Sequence, residues 1–253
     1  MTAARLLPAV LVCSLNAYSF VTLRPEATRG FDRYIESVEA AMDRDPATRA
    51  RRQGGEVTIE PGLAPEEIKL PGAMIHDWVG AIYIPNATIQ QVKAVLQDYD
   101  HYKEFYKPEV IESRRLAHPG DEYDIFLRLR KHQVLTVVLN TEYHVRYVQP
   151  DSRRMQVISR STRIAEVKDP DRSLTSEMPV GQDSGFLWRL NSYWRFDEDD
   201  GGVYAECRAI SLSRDLPLGL GWMIKGFVSK FPKESMQNTL RGTKAAVERH
   251  SSL

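Results

Sequence analysis

Four charged residues lie inside segments that otherwise have the pattern of strands: Glu166, Arg189, Glu206 and Arg208. A paired arginine and glutamate facing an apolar interior would orient the polar end of a bound molecule, because a lone buried charge is costly. Joined by Tyr143, Arg189 or Glu206 could instead polarise a substrate or move a proton. Strand alternation opposes both readings. It puts Arg189 on the outward side and sets Glu206 and Arg208 against Ala205 and Cys207, so an outward row of cross-strand ion pairs is the simpler assignment. A bulge would reverse it.

Other chemistry is thinly represented. The six histidines, His76, His101, His118, His132, His144 and His250, show no recognised metal-binding spacing, and a metal would need ligands gathered from separate strands. Ser211 and Ser213 stand beside Arg214 and Asp215, but no histidine is close in sequence, so they read as strand-end residues. Cys207 has apolar neighbours and reads as a buried thiol. Gly219 and Gly221 form neither a phosphate loop nor a dinucleotide fingerprint. No catalytic residue, metal or cofactor is assigned.

The apolar pattern is richer. Phe186, Trp188, Leu190, Trp194 and Phe196 recur at period two, interrupted only by Ser192, and predict one inward strand face. Tyr143 belongs to a second row with Val137, Leu139 and Val145, and Tyr123, Ile125, Leu127 and Leu129 make a third. Met223, Phe227, Met236 and Leu240 recur on a helical pattern that would cover these rows. Each aromatic taken alone is ordinary core. Taken as a group they suggest a binding surface, with Trp188, Tyr143 and Met236 as leading ligand contacts and Leu190, Trp194, Phe227 and Leu240 beside them.

These rows require particular elements. A short amphipathic helix is predicted over 31–43, then a solvated joint around 49–55 and a proline-punctuated stretch reaching Pro71. A strand at 78–84 ends at Pro85. Thr88 and Gln91 have the spacing of a helix-capping pair, and Ile89, Val92, Val95 and Leu96 follow on one stripe. A second short helix fits 100–106. Six strands are predicted over 109–116, 122–131, 134–147, 154–167, 186–196 and 203–213, with a long loop at 169–185 and a hairpin turn at 199–202. An apolar segment at 218–228 precedes a final helix that starts near Pro232. The fold class is α+β: a strongly curved antiparallel sheet wrapped around a long C-terminal helix, with two short helices after the first strand.

The run Gly202-Val203-Tyr204-Ala205-Glu206-Cys207, then Ser211-Leu212-Ser213-Arg214-Asp215-Leu216-Pro217, and the closing helix over 232–246 resemble the START-like, helix-grip superfamily of polyketide cyclases, lipid-transfer domains and birch-pollen-allergen-like proteins. Tyr99-Asp100-His101-Tyr102 leading into Tyr106-Lys107-Pro108 is similar to that group's passage from helix to strand. The resemblance spans about 74–247. It implies a hydrophobic cavity between sheet and last helix, and it is compatible with carriers, sensors and enzymes alike.

Composition narrows the field. The 253 residues carry 34 basic and 34 acidic side chains, so a globally basic nucleic-acid binder loses its support. Two cysteines, Cys13 and Cys207, exclude a disulfide-rich scaffold. Arg5 followed by an uncharged stretch over 6–23 has the layout of a secretory signal or a membrane anchor. The expected organisation is a leader at 1–23, a linker with a short helix at 24–73, and the main domain at 74–250. The functional expectation is an exported carrier for a hydrophobic or amphipathic small molecule, lipid included, gated by the 169–185 loop. Membrane association would come through the N-terminus, and no nucleic acid is expected. A cyclase- or hydrolase-like enzyme and an envelope-associated structural domain are the alternatives.

Overall fold

The computed structural model describes residues 20–44, 56–63, 67–132, 136–199, 201–215 and 221–250, and for 221–230 the backbone alone. The predicted leader up to residue 19, with Cys13, and the joint at 49–55 lie outside the described residues, as does Gly219.

In chain order the elements are β1 (Val21–Thr22), α1 (Pro25–Arg44), β2 (Thr58–Pro61), β3 (Glu67–Leu70), β4 (Ala73–Pro85) and α2 (Ile89–Gln97). A 3-10 turn (Tyr99–His101) leads into the short α3 (Tyr102–Phe105). Next come β5 (Val110–Ala117), β6 (Glu122–His132), β7 (Thr136–Asp151), β8 (Arg154–Asp169), β9 (Ser173–Glu177), β10 (Gln182–Asp183), β11 (Arg189–Asp199), β12 (Gly202–Arg214) and α4 (Gly221–His250). One antiparallel sheet runs in the order β2-β4-β12-β11-β8-β7-β6-β5, with β3 added on β4 and β9 on β8. β1 and β10 pair separately. Register shifts between β7 and β8, and between β5 and β6, are the bulges that bend such a sheet. The sheet is open, and α4 packs against its concave face.

Local chemistry accounts for the short helices. Thr88 and Gln91 form the capping box, satisfying free N–H groups at both ends of the pair. Ile89, Val92, Val95 and Leu96 then bury one stripe against Ala246, Val247 and the sheet. The helix predicted to begin near Pro232 is instead the second half of α4, which runs unbroken through that proline. An internal proline removes one helical hydrogen bond and costs roughly 3 kcal/mol. Burial of Met236, Leu240, Ala246 and Val247 offsets that cost.

A second core occupies the other face of the sheet. Ala27, Phe31, Ile35 and Val38 recur along one side of α1 and pack on Ala73, Ile75, Trp188, Tyr193, Ile210 and Leu212. The segment predicted as a linker with a short helix thus contributes a twenty-residue helix and two strands to the fold. Beneath α1, Arg208 donates Nε to Asp77 Oδ1 at 2.8 Å and Nη2 to Oδ2. Tyr34 Oη on α1 donates to Asp77 Oδ2 at 2.5 Å, and the Leu63 N–H donates to the same oxygen at 3.2 Å. This group ties α1, β4 and β12 together away from the concave face.

Candidate functional site

Strand pairing assembles the concave floor row by row. Tyr147, Val157, Trp194, Cys207 and Gly80 follow one another across β7, β8, β11, β12 and β4. The next row on the same face is Val145, Ser159, Ser192, Ala209 and Trp78. In the row after that, Leu190 faces Ser211, and Ser211 faces His76. Beyond it Ser213 pairs with Met74.

Over this floor lies a cavity of about 260 Å³. That is somewhat below the usual lower bound of ligand pockets, about 300 Å³, and above the ~150 Å³ apolar cavities that admit benzene. Its wall is mainly aliphatic and aromatic, with Ile125, Leu127, Leu139, Tyr143 and Leu190 from the sheet and Met236 from α4. Thr239 and Asn238 continue the α4 side.

Beside the cavity, α4 crosses β4 in close contact. A Cβ on Gly80 would lie 2.5 Å from Met236 Sδ and 2.7 Å from Leu240 Cδ1, so the helix rests directly on glycine backbone. Gly80→Val is expected to push α4 off the sheet and lower stability by about 1–3 kcal/mol, read as a reduced urea midpoint at unchanged slope.

Besides Ser159 and Ser192 in the floor, three sets of polar groups mark the cavity. At one end the phenols satisfy one another and the backbone: Tyr99 and Tyr147 hydroxyls are 2.7 Å apart, and Tyr147 and Tyr102 both donate to Leu96 O. Burial pushes the Tyr143 and Tyr106 phenols up to about 12, and raises the Cys207 thiol as well, so all three stay protonated at neutral pH. At the rim, Glu109 joins α4 to the β6 edge. It accepts from Ser235 Oγ at 2.8 Å, Asn238 Nδ2 at 2.9 Å and Lys131 Nζ at 3.1 Å. At the end where β12 leaves the sheet, His76 Nε2 lies 3.2 Å from Ser213 Oγ. His76 is buried, and that burial lowers its pKa and keeps the ring neutral. Among the described residues no group of three His, Cys, Asp or Glu could hold a metal ion.

No known family profile matches the sequence, and no curated protein matches it. Solved structures do. A Thermus thermophilus protein, TTHA0849, is similar over 68% of this chain and 97% of its own, at 16% identity and a TM-score of 0.50. The Zhui aromatase/cyclase from Streptomyces sp. R1128 is similar over 70% of this chain and 96% of its own, at 9% identity and a TM-score of 0.50. The fold is the START-like helix grip. A STAR-related lipid transfer protein from Xanthomonas axonopodis is similar at 18% identity over 72% of this chain and 97% of its own, with a TM-score of 0.48. At these identities the likeness concerns the helix grip alone.

Within the helix grip, Tyr143, Leu190, Trp194 and Met236 line the cavity. Leu240 does not; it packs between α4 and Gly80 in the core alongside. The side chain of Phe227 lies outside the described residues. Trp188 is a correction. β11 begins at Arg189, so strand alternation does not reach back to Trp188. The Trp188 backbone N–H donates to Leu212 O at 2.8 Å and its indole Nε1 to Asp183 Oδ1 at 2.9 Å, leaving the ring in the α1 core on the opposite face.

The four charged candidates also fall outside the cavity lining. Arg189 borders a surface groove beside the start of α1. Glu206 and Arg208 alternate with the cavity-facing Cys207 and Ala209, so both face the α1 side, where Arg208 meets Asp77. Glu166 ties down the 169–185 loop, accepting from the Ser184 N–H at 3.1 Å. No Arg–Glu pair points into the cavity among the described residues. The 169–185 loop itself carries β9 and β10, so part of it belongs to the sheet system.

The His76–Ser213 pair has no local signal in the sequence, since no histidine stands near Ser211 or Ser213 in the chain. Period-two alternation signals that His76 and Ser213 each share a face with apolar residues. Only the β4–β12 register, set by residues far apart in the chain, brings the two strands together at that level.

Proposed function

We propose that this chain binds a hydrophobic or amphipathic small molecule between the sheet and α4 and acts as its carrier. The observation that carries the reading is the apolar cavity whose interior polar groups are neutral, with its charged residues, Glu109, Arg130 and Lys131, at the rim. Binding would draw on removal of apolar surface from water, worth roughly 25 cal/mol per Å² before association and ordering costs are subtracted. Arg5 and the uncharged 6–23 stretch support export of the domain.

Native mass spectrometry of the gently purified protein tests the binding step. The expected spectrum shows a small apolar species retained by the wild type. Ala209 lines the cavity floor, so Ala209→Phe fills it. That variant is expected to keep a native circular dichroism spectrum and to lose the bound species. A wild-type protein that retains nothing, and takes up no member of a series of straight-chain apolar compounds when these are added back, overturns the reading.

A further inference from the structure

We infer that the guest of this cavity is an uncharged amphiphile with a hydroxyl end, and that His76, Ser211 and Ser213 receive that hydroxyl. The inference rests on the carrier reading above and specifies its ligand class.

Three observations converge at one end of the cavity. His76, Ser211 and Ser213 all line it. His76 Nε2 is within hydrogen-bond distance of Ser213 Oγ, and Ser211 is the direct cross-strand partner of His76. Beyond the Ser213 contact, neither the His76 ring nor the Ser211 hydroxyl has a hydrogen-bond partner among the described residues. Buried polar groups in folded proteins are nearly always satisfied, so a cluster with spare capacity opening into an apolar cavity marks where a polar guest atom belongs.

The character of the cluster selects the guest. A neutral imidazole carries one donor and one acceptor, and a serine hydroxyl does both. If Ser213 donates to Nε2, then Nδ1 carries a proton to offer; if Nε2–H donates to Ser213, then Nδ1 offers a lone pair. Ser211 supplies the complementary role in either tautomer. A hydroxyl, which donates and accepts at one atom, satisfies both arrangements. A carboxylate does not, because the neutral His76 ring and the two serines supply no positive charge to offset its desolvation, and Glu67, the cross-strand partner of His76 on β3, adds a like charge. An ammonium would be stripped of water here without a carboxylate to receive it, since Glu67 is not among the residues that line the cavity and Glu109 is already engaged at the rim by Lys131, Ser235 and Asn238.

The test is calorimetric titration of the delipidated full chain with octanol, octanoate, octylamine and octane. Octanol is expected to bind at least tenfold more tightly than octanoate or octylamine. His76→Leu and, separately, Ser211→Ala are expected to weaken octanol by about threefold to tenfold, the size of one net hydrogen bond, and to leave octane unchanged or tighter. Ser211→Ala stands alone if His76→Leu fails to fold. Octanoate binding as tightly as octanol, or equal losses for octanol and octane in both variants, overturns the hydroxyl assignment while leaving the carrier reading intact. Binding of none of the four probes to the wild type overturns both.

Discussion

Arg208→Ala should lower the stability of this protein by about 3–5 kcal/mol. The guanidinium meets both oxygens of Asp77, and both side chains are almost completely buried, at 8% and 0% exposure. Truncating the arginine leaves a carboxylate without its counter-charge in a place that water does not reach. Tyr34 and the Leu63 N–H remain as donors to Asp77, but neither supplies positive charge. For a domain of this size such a loss lowers Tm by on the order of 10 °C. Thermal unfolding followed by circular dichroism measures it. A change within about 0.5 kcal/mol would mean that the pair is solvated and that α1 is docked by its apolar stripe alone.

Glu166→Gln should act in the opposite direction, with an effect that grows above pH 4.5 and is full above pH 7. Burial pushes the Glu166 carboxyl up to about 7, Asp183 pushes the same way, and the hydrogen bonds from Ser184 together with Arg214 oppose them in part. The folded state therefore holds its proton more tightly than the unfolded chain, where the ordinary value is 4.5. The associated stabilisation is complete below pH 4.5 and is lost as pH rises through 7. The difference corresponds to about 3 kcal/mol. Glutamine is neutral throughout and its amide oxygen can still accept from Ser184. The variant is expected to be more stable than the wild type by up to about 3 kcal/mol at pH 8 and indistinguishable from it at pH 4. Denaturant titrations of both proteins at the two pH values settle the point. His76 has the opposite linkage, its stabilisation being lost as pH falls below 6.5, but it is common to both proteins and cancels in the comparison.

The architecture was legible where signals were local. Thr88 and Gln91 announced their helix through a three-residue spacing, and alternating rows such as Tyr123, Ile125, Leu127 and Leu129 announced their strands. The cavity wall followed wherever alternation held, as at Tyr143, Leu190 and Trp194. It misled at Trp188, one residue before the strand begins, because a bend frees the side chain from the two-residue rule. Alternation also places Arg189, Glu206 and Arg208 away from the cavity, as the structure does, but it gives no sign of what covers that face. An outward row suggests a face that meets water, whereas α1 covers it, so that buried ion pairs such as Arg208–Asp77 belong to a core of their own. Contacts such as His76–Ser213 depend on residues 137 positions apart and on the register of two strands, for which no local pattern exists.

The passage from Phe186 to Trp188 gives the sheet a mechanical property. Phe186 and Leu187 form part of the cavity wall, while the next side chain is wedged under α1 among Phe31, Ile35 and Leu212. Three consecutive residues therefore straddle the sheet like a pin through a plate, fixed to Leu212 by the backbone and to Asp183 by the indole. Pressure on the inner end of that pin is resisted by the outer core together with the Asp183 end of the loop. The cavity can accordingly widen toward α4 and its polar rim more easily than toward Phe186, and the compliant wall of the container is its helix.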